Sequence, residues 1–173
     1  MSIVPITIRV AEPSDAALIL TFIRELAEYE RLAHEVVATE EAIRQTVFGD
    51  RPRAEVLIAE ADGQPAGFAL FFHNYSTFLA RSGLFLEDLY VRPEFRRRGI
   101  ARDLLTRLAA IAVSRDCGRF EWNVLDWNES AQQFYESLGA RPMSDWTTYR
   151  LAGDALRALA ARQDGRRADR IGD

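Results

Sequence analysis

The chain predicts an α/β fold in which a mixed, mostly antiparallel central sheet carries helices on both faces. Three observations lead there. Apolar residues change along the chain between a period of two and a period near 3.6, the marks of strands and helices in alternation. Two alternating segments are joined by Asp62-Gly63-Gln64-Pro65, a hairpin signal. A further strand runs through a short basic turn with one glycine, Arg96-Arg97-Arg98-Gly99, straight into a helical run. Interleaved elements of this kind bury a sheet beneath helices.

Taken in order, Ile6, Ile8 and Val10 alternate as a first strand. Pro13-Ser14-Asp15 supplies a helix start, and Ala17, Leu18, Phe22, Leu26 and Tyr29 hold helical spacing to about Glu30. Thr39 caps a second helix, Glu40 to Phe48. Strands follow at Glu55–Glu60, Ala66–Phe72 and Leu84–Val91, then a helix from Ala101 to Val113. Phe120, Trp122 and Val124 alternate again. The polar turn Asp126-Trp127-Asn128 feeds a helix from Glu129 to Leu138, which Gly139 stops and Pro142 forbids to continue. A last strand near Thr147–Leu151 closes one N-terminal domain of residues 1–152. Residues 153–173 read as a helical tail that becomes rich in Arg, Asp and Gly and then disordered.

Composition removes several classes of function. The 173 residues are nearly half apolar and about a quarter charged, as in an ordinary globular domain. No apolar run approaches the ~20 residues of a membrane helix and no signal-peptide pattern opens the chain, so the cytoplasm is the expected compartment, without a membrane partner. A formal charge of −4 and the lack of a long basic stripe argue against nucleic acid as a partner. All 22 basic residues are arginine, which excludes a Schiff-base or P-loop lysine. Cys117 stands alone, so neither an internal disulfide nor a cysteine-built zinc site is available. His34 and His73 are too far apart in sequence to suggest a metal pair, and no metal is expected. Trp122, Trp127 and Trp146 read as core or pocket wall.

The basic turn is the most informative segment. The first-turn N–H groups of a helix have no partner within it, and the helix dipole concentrates positive charge there. A strand, a basic turn with a glycine and then a helix start therefore make a phosphate site. Gly99 lets the main chain approach a bulky anion, and arginines grip phosphate oxygens in pairs.

Three features lie in one order: Glu87-Asp88 in the strand before the turn, R-x-x-G-x-A from Arg96 to Ala101, and Trp127-Asn128-x-x-Ala131-x-x-Phe134-Tyr135-x-x-x-Gly139-Ala140 about thirty residues on. Together they resemble the GNAT superfamily of N-acetyltransferases, whose acetyl-coenzyme A signature is Q/R-x-x-G-x-G/A. Within it the chain is similar to the diamine (spermidine/spermine) N-acetyltransferase group. The matching stretches are Ile23–Glu30, Leu86–Val91, Val124–Asn128 and Phe134-Tyr135, within residues 5–151. Where the diamine branch carries Asp-Pro-Trp, this chain has Ser76-Thr77-Phe78, nearer to the Ser-Thr-Trp of the thialysine-type branch.

The resemblance implies a GNAT acyl-CoA N-acyltransferase fold and acetyl-CoA as co-substrate. It implies direct attack on the thioester by a primary amine of a small polyamine or amino-acid-like acceptor, within a ternary complex. The pyrophosphate would meet Arg96, Arg97, Arg98, Gly99, Ile100, Ala101 and Arg102, with pantetheine lying beside Leu89, Tyr90 and Val91 like an added strand. Asn128 and Ser130 would also contact the cofactor. An alkylamine of pKa ~10.4 is overwhelmingly protonated at pH 7, so a carboxylate must take its proton or hold its charge. Glu87 is the candidate, although alternation by itself does not separate Glu87 from Asp88. Tyr135, a phenol still protonated at neutral pH, would donate a proton to the leaving thiolate while touching the cofactor. A main-chain N–H near Leu89 would meet the oxyanion, a contact worth on the order of 3 kcal/mol. Tyr29, Glu30, Glu87 and Asp126 would bind the substrate in an acidic pocket, which Glu28 and Asp88 could join. The same resemblance implies a two-fold homodimer in which C-terminal strands and helices pack across the partner. Acetylation of protein lysines or N-termini, and a non-catalytic acetyl-CoA sensor, are the competing readings of the same motifs.

Overall fold

The alternating segments from Ile6 to Trp122 become a single sheet. The computed structural model describes residues 5–168. In it β1 spans Ile6–Val10, α1 Ala16–Tyr29, α2 Glu40–Phe48, β2 Glu55–Ala61, β3 Gln64–Ser76, β4 Arg81–Val91, α3 Ile100–Ser114, β5 Phe120–Trp122, α4 Glu129–Ser137 and α5 Gly153–Ala168. The five strands lie in sequence order, β1-β2-β3-β4-β5. The first three pairings are antiparallel and β4–β5 is parallel. This is the mixed, mostly antiparallel sheet expected from the sequence.

Residues up to Val124 form one compact unit and those from Leu125 a second. In the first unit, strand alternation sorts the core into two layers. Val56, Ile58, Phe68 and Tyr90 join Ile19, Phe22 and Leu26 of α1 and Ile43 of α2 in one buried cluster. Phe22 stacks on Phe68, with centroids 5.2 Å apart and rings 6° from parallel. Leu57 and Ala59 alternate with Val56 and Ile58 to the opposite face. There α3 packs on the sheet through its buried Leu104, Leu105 and Leu108. Each of these large side chains gains roughly 1.5–3 kcal/mol by leaving water.

Two arginines tie this framework together. Arg9 on β1 donates to both Asp15 oxygens, at 2.7 and 2.9 Å, and to Glu60 of β2 at 2.8 Å. Hydrogen bonding from Arg9 is the main reason that the Asp15 carboxyl lies below its usual range. Arg92, just past β4, makes a bidentate pair with Glu25 of α1 at 2.9 and 3.0 Å and bonds the Pro65 carbonyl. Its guanidinium also lies 4.9 Å above the Phe22 ring. The C-terminal half of α1 is thereby fixed beside the end of β4.

Two register shifts interrupt the ladders. Between β2 and β3 Ala66 is the extra residue, since Ala59 faces Gly67 and Glu60 faces Pro65. Gly67 sits where a Cβ would come within 2.4 Å of the Tyr90 carbonyl oxygen and 3.1 Å of Val91 Cα. Those neighbours are main chain and cannot turn aside. Gly67→Ala is therefore expected to cost about 3 kcal/mol, read as a lower denaturation midpoint with an unchanged denaturant slope.

Several expectations need correction. β3 and β4 are longer than expected: β3 runs on to Ser76, and β4 begins at Arg81. The strand expected through Val124 ends at Trp122. No strand forms at Thr147–Leu151, where the chain is irregular, with Trp146 72% and Tyr149 92% exposed. The β-branched and aromatic residues favour extended backbone there, but a strand also needs a neighbour to complete its hydrogen bonds. The tail is helical through Ala168; its expected disordered end lies outside the described residues. No helix among the described residues is long and apolar enough to cross a membrane.

Candidate active site

The basic turn has the geometry of an anion cradle. A short 3₁₀ turn, Pro93–Phe95, follows β4 and delivers the chain to Arg96. Arg97 then takes a left-handed conformation, φ +61°, costly for a side chain of this kind, and Gly99 follows at +88°. Left-handed residues in such turns aim successive N–H groups into a concavity that suits an anion. Gly99 caps α3, so the N–H groups of Ile100, Ala101 and Arg102 open outward from the first helical turn. Ile100 is buried, anchoring the turn, whereas Arg97, Arg98 and Arg102 are exposed. Space about Gly99 is open, so conformation and not crowding requires glycine. Gly99→Val is expected to lower stability by about 1–2 kcal/mol and coenzyme A affinity by about tenfold or more, measured by calorimetry.

Next to the turn, the sheet splits. β4 pairs with β5 only through Leu84, Phe85 and Leu86, opposite Phe120, Glu121 and Trp122. Among the described residues no strand continues that ladder along Glu87–Val91. The outer edge of β4 can thus accept an extended ligand as an added strand. Leu89 and Val91 are half-buried on this stretch, while the Tyr90 side chain belongs to the core beneath α1. The Tyr90 carbonyl faces Gly67 of β3.

The split begins at a β-bulge. Leu70 faces Asp88 and Phe71 faces Leu86, leaving Glu87 as the extra residue of β4. A bulge bends its strand and re-aims side chains, and here it upsets the alternation around two adjacent carboxylates. Glu87 is exposed and Asp88 is half-buried. Burial pushes the Asp88 carboxyl up to about 7, helped by the negative charges of Glu87 and Glu30. Glu30, at the C-terminal cap of α1, is itself raised by burial. Three carboxyls from two elements therefore share one electrostatic neighbourhood. Tyr29, 41% exposed, adjoins them at the end of α1.

Arg96 is held differently from its two neighbours. Its Nε donates to the Val91 carbonyl at 2.9 Å, and its guanidinium lies 4.9 Å from the centroid of Tyr29 and 5.9 Å from that of Tyr90. Arg98 lies over Phe95 at 5.5 Å.

In the second unit, Asn128 opens α4 as its N-cap, its side-chain oxygen accepting from the Ala131 N–H at 3.3 Å. Gln132 braces the turn by donating to the Asp126 carbonyl at 2.9 Å. Tyr135 is half-buried two turns along the helix, with the Phe134 ring 5.5 Å away. Ser130 and Asp126 are exposed. Among the described residues no cluster of His, Cys, Asp and Glu could hold a metal.

Alternation in the sequence does not distinguish Asp88 from Glu87, and only the resemblance favours Glu87. The available signal was a pair of acids interrupting an otherwise apolar strand, an interruption that matches a bulge. The return of Arg96 over Tyr29 had no signal in the sequence, because it depends on contact between residues 67 positions apart.

Comparison with known proteins agrees with this geometry. The profile of the acetyltransferase (GNAT) family matches residues 21–140. A thialysine N-epsilon-acetyltransferase of Sus scrofa is 40% identical, with 91% of this chain and 98% of that protein covered. An L-ornithine N5-acetyltransferase of Arabidopsis thaliana is 35% identical over 88% of this chain and 86% of its own length. Among solved structures, an integron cassette protein from the mobile metagenome of V. cholerae superimposes with a TM-score of 0.76 at 25% identity, covering 90% of this chain and 97% of that one. The strand–turn–helix cradle, the split sheet and these matches converge: the chain belongs to the GNAT family, acetyltransferases that use acetyl-CoA as co-substrate.

Proposed function

We propose that this enzyme moves the acetyl group of acetyl-CoA to a primary amine of a small cationic acceptor, an amino acid of the thialysine or ornithine type or a short polyamine. The observation that carries this reading is the carboxyl cluster of Glu30, Glu87 and Asp88 beside the open edge of β4. Its concentrated negative charge suits an ammonium group. The names of the relatives, which specify thialysine and ornithine, point to the same acceptor class.

In this mechanism the turn from Arg96 to Arg102 binds the pyrophosphate, chiefly through main-chain N–H groups and the exposed Arg97, Arg98 and Arg102. Pantetheine adds to β4 along Leu89–Val91, and Asn128 and Ser130 are the further cofactor contacts. The amine, bound through Tyr29, Glu30 and Asp126, gives up its proton to the Glu87–Asp88 pair. The neutral nitrogen attacks the thioester carbonyl directly in the ternary complex. The oxyanion is met by the Leu89 N–H; as the C–S bond breaks, the Tyr135 hydroxyl protonates the departing thiolate, and the proton that the attacking nitrogen loses on becoming an amide returns to the Tyr135 phenolate by way of solvent. No metal enters these steps.

The working form is proposed to be a homodimer. Trp146, Tyr149, Leu151, Leu156 and Leu159 are all exposed on the single chain, and the irregular 147–151 segment has the composition of a strand. Light scattering at micromolar concentration is expected to give twice the chain mass.

The test of substrate class is a panel of thialysine, ornithine, lysine, putrescine, spermidine and lysine-containing peptides at saturating acetyl-CoA. Turnover of the free small amines is the expected outcome. Reaction with the peptides alone would replace this reading by protein acetylation, and coenzyme A binding without turnover would favour a sensor.

A further inference from the structure

The first arginine of the basic turn folds back on the end of β4 and of α1. Its Nε is bonded to the Val91 carbonyl, and its guanidinium lies over the Tyr29 ring at 4.9 Å and the Tyr90 ring at 5.9 Å. Tyr29 is the last residue of α1, and Glu30 follows it as the cap, with its N–H returning to the Leu26 carbonyl. Glu30 in turn lies close enough to Asp88 to raise that carboxyl. One side chain from the donor turn thus grips the helix end that carries the acceptor residues. Cation–π contacts of this kind need a cation over the ring face, and the planar guanidinium can in addition stack on it.

We infer that Arg96 is a positioning residue for the amine site: by spanning Val91, Tyr29 and Tyr90 it holds Tyr29 and Glu30 against the carboxyl pair of β4, and so couples the donor turn to the acceptor pocket. The inference rests on the amine-acetyltransferase reading above. It differs from the expectation that Arg96 serves the pyrophosphate, and it assigns that task to the turn's main chain and the other arginines.

The decisive variants are Arg96→Met, which keeps a long apolar stem, and Arg96→Gln, which keeps a donor but removes the charge and the guanidinium fork. For both, the KM of the small amine is expected to rise about tenfold or more, while the calorimetric Kd for coenzyme A changes by less than about threefold. Amide hydrogen exchange of the unliganded protein should quicken at residues 26–32, where the helix end is closed by bonds from Glu30, Arg31 and Leu32 to Leu26, Glu28 and Ala27. A tenfold loss of coenzyme A affinity with unchanged amine KM and unchanged exchange would overturn the inference and make Arg96 a phosphate ligand. The exchange readout needs no turnover. If the native enzyme acetylated no small amine, the proposed acceptor class would fall, while altered exchange at 26–32 in the variants would still report the contact itself.

Discussion

Replacing Tyr135 by phenylalanine is expected to lower kcat by roughly 10²–10⁴-fold and to leave coenzyme A affinity nearly intact. A thiolate expelled without a proton is a poorer leaving group than a thiol formed in the same step, and in the proposed mechanism the Tyr135 phenol supplies that proton. The ring is retained in Tyr135→Phe, so its neighbour Phe134, 5.5 Å away, keeps its contact and α4 keeps its packing. An effect on turnover without one on binding separates chemistry from structure. Unchanged turnover would remove Tyr135 from the mechanism.

The second large effect concerns Asp88. Its carboxyl titrates near 7, because burial and the charges of Glu87 and Glu30 oppose ionisation. The profile of kcat/KM against pH reports groups in the free enzyme, so it is expected to rise through a limb near pH 7 as Asp88 ionises. Asp88→Asn should abolish that limb and cut kcat/KM at pH 8 by about 10²-fold. Glu87→Gln removes a negative neighbour and should move the limb to lower pH. Stability provides the control, because its sign is opposite. A carboxyl raised in the folded state contributes its stability below the unfolded pKa, ~3.9, and loses it as pH rises through the folded value. Asp88→Asn should therefore raise stability at pH 8, by on the order of 2 kcal/mol, and change it little at pH 4. A variant that is firmer yet slower cannot owe its slowness to unfolding. A pH profile that kept its limb in Asp88→Asn would show that the group belongs elsewhere.

Local pattern and local chemistry account for most of what could be read before the fold. Alternation in Ile6–Val10 and in the hairpin strands, Thr39 as a cap and Gly99 before α3 each act within a few residues, and each has the expected structure. The Arg96–Ala101 turn was legible for the same reason: its strand, glycine and helix start are contiguous. What escaped depends on partners distant in sequence. The bulge at Glu87 is a matter of register against Leu70 and Phe71, and it decides which acid is buried. The return of Arg96 over Tyr29 depends on α1 being held to β4 by Arg92 and Glu25. The segment Thr147–Leu151 failed in the other direction, since composition favours an extended chain but cannot provide the strand beside it.

A crystal structure of the enzyme with coenzyme A and an unreactive thialysine analogue would test the joined donor and acceptor sites most directly. The expected result has pyrophosphate oxygens within hydrogen-bond distance of main-chain N–H groups at Gly99–Ala101, and the acceptor's ammonium among Glu30, Glu87 and Asp88. Pyrophosphate bound away from the turn, or an amine seated away from those three carboxyls, would contradict it.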